Sequence, residues 1–281
     1  MPQSSTLVFV ADLHVGHPFA VCPATWTLHD GNTFCPNPLQ QLIREHWCAT
    51  WQRIGAQRKK RRLIVCIVGD AVEGLHHSTT QLITTRTDTQ EAMAVAVLEE
   101  GLALAHWGRG DVLRYVTGTP AHEGQGAQSA ERIVRFLTGY TGDARQSCDY
   151  WRASVHGVLF DVAHRPGSGP GTRNWARGNA FQAWLKSLYL DALELSQPPP
   201  RYVIRAHRHQ YIERHVHAGA GHIATTGYIL APWKAKDEYV YQVTPEAVAS
   251  IGALIIDVDA DSTTRAACWR VVLGQDALET L

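Results

Sequence analysis

In the first half of the chain, short apolar runs alternate with longer stretches of helical periodicity. Leu7 to Ala11 is wholly apolar and followed by a polar break, the pattern of a buried strand. Residues 15–38 hold four prolines and two glycines and are expected to form an ordered loop, a lid or an insert. Pro38 suits the first turn of a helix. Leu39, Leu42, Ile43, His46, Trp47, Thr50, Trp51 and Ile54 then recur at helical spacing, so one face should pack inward. That helix should close at Arg58 to Arg62, where cations complement the C-terminal dipole. Leu63 to Val68 predicts a second buried strand, and Thr89 to Trp107 a helix stopped around Gly108 and Gly110. A third strand is expected over 111–117 and a shorter helix over 129–137.

The second half begins with a hairpin pattern, Tyr150 to Val155 and Val158 to Ala163, with His156-Gly157 between. A Gly/Pro-rich loop follows from Arg165 to Arg173. A long helix is predicted from Asn174 to Leu195, ended by Pro198 to Pro200. Tyr202 to Ala206 reads as a short strand, and the runs 212–216, 251–258 and 267–272 as mostly β. Early strands alternate with helices and late ones are hairpin-like. That order predicts a mixed α/β fold, two β-sheets packed together with helices outside.

Composition adds bounds. The 281 residues are 45% apolar, enough for one large domain with a core of native size. Lys+Arg and Asp+Glu are both 26, so no global charge draws the chain to nucleic acid or a membrane. The six cysteines include no Cys-x-x-Cys pair, and no disulfide framework is expected at this spacing. The steps from Cys22 to Cys35 to Cys48 invite a zinc reading that nothing else supports. Cys66 lies in an apolar run and should act as a small core residue. No basic n-region or stretch of ~20 apolar residues is present, so a cytoplasmic location is expected.

Candidate chemistry lies in five islands of acid and histidine, each just after an apolar run. They are Asp12-Leu13-His14, Gly69-Asp70-Ala71-Val72-Glu73, Gly118-Thr119-Pro120-Ala121-His122-Glu123, Ala163-His164 and Ala206-His207-Arg208-His209. Such groups are costly near a buried surface unless paired. Hard and borderline ligands from separate strand ends suit a two-metal hydrolytic site. Strand ends are also where sites collect in open α/β sheets.

The motifs D-x-H, G-D-x-x-E, G-x-x-x-H-E, a lone H and H-x-H, in this order over residues 7–230, resemble the calcineurin-like metallophosphoesterase superfamily. The resemblance implies a four-layer α/β/β/α sandwich and a phosphoester hydrolase with two divalent ions. It implies that Asp12, His14 and His209 hold one ion, that His164 and His207 hold the other, and that Asp70 bridges them. A hydroxide between the ions would attack phosphorus in line. His122 would stand at the leaving group, oriented by Glu123. The family's Asn before His is replaced here: Thr119 follows the glycine and Ala121 precedes the histidine. Thr119 is therefore the candidate ligand in place of the Asn. Ala206 replaces a glycine, a mild change if the backbone there is not left-handed. The variant Gly-Thr-Pro-Ala-His and the late Ala231-Pro232-Trp233 are similar to calcineurin-type phosphoesterases often encoded in bacteriophage and prophage genomes.

Manganese is the first expectation for the ions, with iron, zinc or nickel as alternatives, since a mixed His/carboxylate set does not choose. The expected substrate is a phosphodiester, with nucleic acid or a nucleotide as the partner. A phosphomonoester, or a degenerate metal-binding protein with a protein partner, is the alternative. His76, His77 and Arg173 are candidates for touching substrate phosphate, with Arg165 and Arg177 beside the same loop. Glu73 can be a partner of a ligand or a solvated loop acid. If the strand continues past Ala206, His207 and His209 share one face. Trp47 and Trp51 are expected in the core.

Overall fold

The computed structural model describes residues 4–76, 79–137, 147–167, 176, 178–238, 240 and 249–273. In chain order the elements are β1 (Ser5–Val10), β2 (Trp26–Thr27), β3 (Thr33–Phe34), α1 (Pro38–Arg58), β4 (Arg62–Val68), α2 (Thr87–Leu104), β5 (Val112–Val116) and α3 (Pro120–Glu123). They continue with α4 (Gln128–Phe136), β6 (Ser147–Cys148), β7 (Tyr150–Val155), β8 (Val158–Ala163), α5 (Asn179–Glu194), β9 (Tyr202–Arg205), β10 (Ile212–His217), β11 (Ile223–Ile229), β12 (Ser250–Val258) and β13 (Thr264–Val272).

These elements build a four-layer α/β/β/α sandwich. One sheet runs β13-β12-β1-β4-β5-β6 and the other β10-β11-β9-β8-β7. In the first, β1, β4, β5 and β6 are parallel. In the second, β8, β9 and β11 are parallel. Parallel strands buried on both faces read as unbroken apolar runs, and side-chain alternation splits each run in two. Leu7, Phe9, Ile64, Cys66 and Val68 face the other sheet, where Phe160, Val162, Tyr202 and Ile204 meet them. Val8, Val10, Leu63, Val65 and Ile67 face the helices α1, α2 and α4. A third, smaller core packs Phe181 and Leu185 of α5 on Val203 and Ile229.

Local signals set the helices. Asn37 caps α1 by a reciprocal box: its side chain accepts the Gln40 backbone amide at 2.9 Å, and the Gln40 side-chain oxygen Oε1 accepts the Asn37 backbone amide. Trp47 and Trp51 are fully buried in edge-on contact, while Leu42 of the same helix is exposed. The basic run after α1 is occupied structurally. Arg58 pairs with Asp111 at 2.6 Å, Arg61 with Asp259, and Arg62 donates to the Gly110 carbonyl.

Several expectations needed correction. The strand β11 has no continuous apolar run, because Thr225-Thr226-Gly227 interrupts it. The glycine is there for α5: a Cβ at 227 would come within 2.3 Å of Leu185. The described helix α5 begins at Asn179, while the expected start at Asn174 lies outside the described residues; α2 ends at Leu104 rather than Trp107. The hairpin turn is as expected, with His156 and Gly157 both at positive φ. The segment after β1 is tied into the core: Val15, Ala20, Val21 and Cys22 are buried. All six cysteines are free, and burial pushes the Cys66 thiol well up. No described helix is long and apolar enough to cross a membrane.

The α1–α2 contact depends on Gly101, where a Cβ would lie 2.7 Å from the Trp51 indole nitrogen. Replacing Gly101 by Ala should cost about 1–3 kcal/mol through overpacking. Urea denaturation of the variant checks this, and an unchanged midpoint would refute the close packing.

Candidate metal centre

All five islands meet at one end of the sandwich. β1, β4 and β5 point their carboxyl ends the same way, as do β8 and β9. The loops after β1 and β4 are zipped by backbone bonds: Asp12 N to Gly69 O, His14 N to Asp70 O, Val15 N to Ala71 O, and Glu73 N to Val15 O. The loop after β9 joins through the His207 amide, which donates to Asp12 Oδ2 at 3.0 Å. The Ala206 amide donates to the His164 carbonyl.

The backbone here is strained. Asp12, His14, Asp70, His207 and His209 all have left-handed φ, between 48° and 72°. Non-glycine residues adopt this region rarely, and such outliers gather at functional sites. The strand does not continue past Arg205, so His207 and His209 do not share a strand face as expected. They turn to two different groups instead. Ala206 is not left-handed, so the loss of glycine there costs little.

Close approach also fixes two glycines. A Cβ at Gly69 would lie 2.4 Å from the His164 ring, and one at Gly118 would lie 2.1 Å from Asp70 Oδ1.

Two sets of side chains could each hold a metal ion: Asp12, His14 and His209, and Asp70, His164 and His207. Within each, the ligand atoms lie within 4.8 Å of one another. Asp70 also groups with His14 and His122, so it stands between the two sets. The donors suit a cation. Among the described residues the buried Asp12 Oδ1 has no hydrogen-bond partner, and His164 Nε2 points at Asp70 Oδ2 at 3.0 Å. The Nε2 atoms of His14 and His209 face each other at 3.0 Å. The far nitrogens are anchored, which fixes tautomers as ligating histidines require. His164 Nδ1 donates to the Val68 carbonyl at 2.7 Å, and His14 Nδ1 makes a close, bent contact of 2.8 Å with Glu73 Oε2.

Electrostatics follow from burial. Burial, with the nearby His122 and Lys234, takes His14 down to about 3. Burial and the charge of His164 take His207 down to about 4. Both are then neutral, ready to bind a metal at pH 7. His164 is the exception: burial opposes its charge, but Asp70 and Asp12 outweigh that and push it up to about 9. Burial works against the Asp70 charge too, yet His164, His122 and His14 hold it well below the carboxylate range.

The altered island holds two surprises. Thr119 donates its amide and its hydroxyl to Asp70, at 2.6 and 3.1 Å to Oδ1. Glu123 does not orient His122. Its carboxylate accepts the Asp70 amide, the Gly118 amide and the Tyr115 hydroxyl, within a buried pocket that pushes its pKa up to about 7, with Asp70 adding to the effect. The reason is the one-turn helix α3, which leaves the two neighbours pointing apart. His122 Nδ1 instead donates to the Glu73 carbonyl at 2.6 Å, and burial lowers its pKa.

Glu73 is a hub rather than a loop acid. It is buried and touches His14, His76 at 2.9 Å and Lys234 at 3.3 Å. Burial opposes its charge, but these partners hold it far below the usual range. Lys234 and its second partner Asp237, at 2.6 Å, were missed in the sequence. The available signal was a lysine directly after the apolar Ala231-Pro232-Trp233. His17, also buried, lies 3.7 Å from Asp237. Arg165 is exposed; His77, Arg173 and Arg177 lie outside the described residues.

No protein-family model matches the chain, and no curated protein matches it in sequence. Solved structures do resemble it. Vps29 from Entamoeba histolytica, complexed with Zn2+, is 11% identical over 96% of this chain and 99% of that one, with a TM-score of 0.43. A predicted phosphoesterase from Streptococcus pneumoniae is 11% identical over 95% and 98%, at 0.32. Vps29 from Chaetomium thermophilum is 10% identical over 96% of each chain, at 0.36. Likeness at this level leaves function to be read from the site itself.

Metal uptake by this set would have to displace the His164 proton. Below about pH 9 that proton is bound, so affinity should rise with pH until that value and then level off. Calorimetric titration with Mn2+ at pH 7, in buffers of different ionisation enthalpy, should show about one proton released. Uptake independent of pH and buffer would refute the assignment of His164.

Proposed function

We propose that the chain is a metal-dependent phosphoric ester hydrolase acting on a phosphodiester, in nucleic acid or a nucleotide, with residues 1–281 as one catalytic domain. The observation that carries this reading is the meeting of two His/carboxylate sets at the strand ends of both sheets, with Asp70 between them. A pair of divalent ions, manganese first, would polarise the phosphoryl group and supply the nucleophile at neutral pH.

The chain's own residues do the rest. Asp12, His14 and His209 would hold one ion, and His164 and His207 the other. Asp70 faces both, and Thr119 keeps its carboxylate in place. The Thr119 hydroxyl, which donates to Asp70, could still offer a lone pair to the second ion. A ring nitrogen of His122 lies within 4.8 Å of ligand atoms of His14 and Asp70. With Nδ1 committed to the Glu73 carbonyl, its Nε2 is the atom left to face the leaving oxygen. His76, edge-on to His122 at 4.4 Å, borders the same space and would meet substrate phosphate.

One observation favours a second reading. Ala121 offers no ligand where the family has Asn, and the Thr119 hydroxyl is already engaged with Asp70. A loosely held second ion would suit a protein that binds metal and a protein partner without turnover. Assays with Mn2+ on bis- and mono-nitrophenyl phosphate separate the cases. Diester turnover supports the proposal and monoester turnover a phosphatase. Tight metal with silence on both supports the second reading.

Asp70→Ala should abolish turnover and lower metal content from about two ions per chain; full activity in that variant would sink the mechanism. His122→Ala should keep the metal but lose about 10²–10⁴-fold in kcat. Retained kcat would remove His122 from the leaving-group side.

A further inference from the structure

Beside the candidate centre lies a buried group the mechanism does not use. Lys234 is 5% exposed, and its ammonium contacts Asp237 Oδ2 at 2.6 Å and both oxygens of Glu73 at 3.3 and 3.4 Å. A buried lysine is rare unless paired, and here each pairing is with a buried carboxylate. Its backbone is fixed as well. Lys234 bridges Ala20, Val21 donates to the Trp233 carbonyl, and Ala235 donates to the Phe19 carbonyl. The lysine is therefore fixed at its backbone by this bridge and at its ammonium by Asp237.

Glu73, His76 and His122 could hold a further metal ion, since their ligand atoms lie within 4.8 Å of one another. The Lys234 ammonium already fills the need for positive charge there. A divalent ion beside it would meet like charge in a dry site. The protein supplies its own fixed cation at this corner.

We propose that Lys234 is the positioning residue of the candidate centre, acting through Glu73 to aim His14. The chain of contacts is direct. Asp237 holds the ammonium, the ammonium holds the Glu73 carboxylate, and Glu73 Oε2 meets His14 Nδ1 at 2.8 Å. A proton kept on Nδ1 leaves the Nε2 lone pair toward Asp12 and His209. Carboxylate partners of ligating histidines commonly set ring orientation and basicity in this way. Here the carboxylate needs an anchor, because it is shared with His76 and could turn away from His14. The proposal rests on the metal reading given above.

The test uses the full-length protein and Co2+ as a spectroscopic probe. Lys234→Met should weaken the first Co2+ step by about 10- to 100-fold and shift its visible d–d bands. Lys234→Arg should restore both. Imidazole ¹⁵N shifts of the metal-free protein give a second readout. His14 should be the Nδ1–H tautomer in the wild type, mixed in Lys234→Met and restored in Lys234→Arg. Equal Co2+ affinity and an unchanged tautomer in Lys234→Met would overturn the proposal while leaving the metal centre intact. A wild-type protein that binds no Co2+ would overturn the metal reading itself, and the proposal with it. Should Lys234→Met not fold, Asp237→Asn loosens the ammonium without removing it. It must then weaken Co2+ by at least about threefold, and unchanged affinity there overturns the proposal.

Discussion

Everything at the candidate centre depends on how the two sheets are clamped face to face. Leu7, Phe9, Cys66 and Val68 on one side meet Phe160, Val162, Tyr202 and Ile204 on the other, all buried. Apolar contact of this extent is rigid, because protein interiors pack like crystals. With the sheets fixed, the carboxyl ends of β1, β4, β5, β8 and β9 have one place to go. Side chains more than 190 residues apart, such as Asp12 and His209, then fall within reach of one another without any local sequence bringing them together.

That rigidity is what supports the strained backbone. Five candidate ligand residues sit in left-handed conformations, each costing about 1–3 kcal/mol. The zipped loops after β1 and β4 and the amide of His207 on Asp12 hold them there. Glu123 adds to this from below, tying the Gly118 and Asp70 amides and the Tyr115 hydroxyl into one buried node. The carboxylate that was expected to steer a catalytic imidazole turns out to brace the floor beneath it. Its neighbour Glu73, from another strand end, steers imidazoles instead.

Much of the fold was legible because strands buried on both faces leave continuous apolar runs and amphipathic helices leave periodic ones. The islands were legible for the opposite reason: acids and histidines stood where burial should exclude them. What escaped had no local signature. The strand β11 is broken by Thr225-Thr226-Gly227, and its glycine makes sense only once Leu185 is seen against it. The left-handed turns after β9 sent His207 and His209 to separate groups, where alternation had put them on one face. Lys234 has Asp237 only three residues away, but its burial and its pairing with Glu73 are set by tertiary structure.

The place of β1 in its sheet has one more consequence. It lies between β4 and β12, pairing with Leu254 to Val258 on one edge. The strand that ends at Asp12 and His14 therefore stays open along one side until residues 250–258 exist and dock. Contacts of such long sequence separation form late and slowly. During synthesis a nascent chain carries scattered histidines and acids but no competent pair of sites. If the centre takes a metal, loading would follow completion of the sheet, so that an ion would seal a finished fold rather than template an unfinished one.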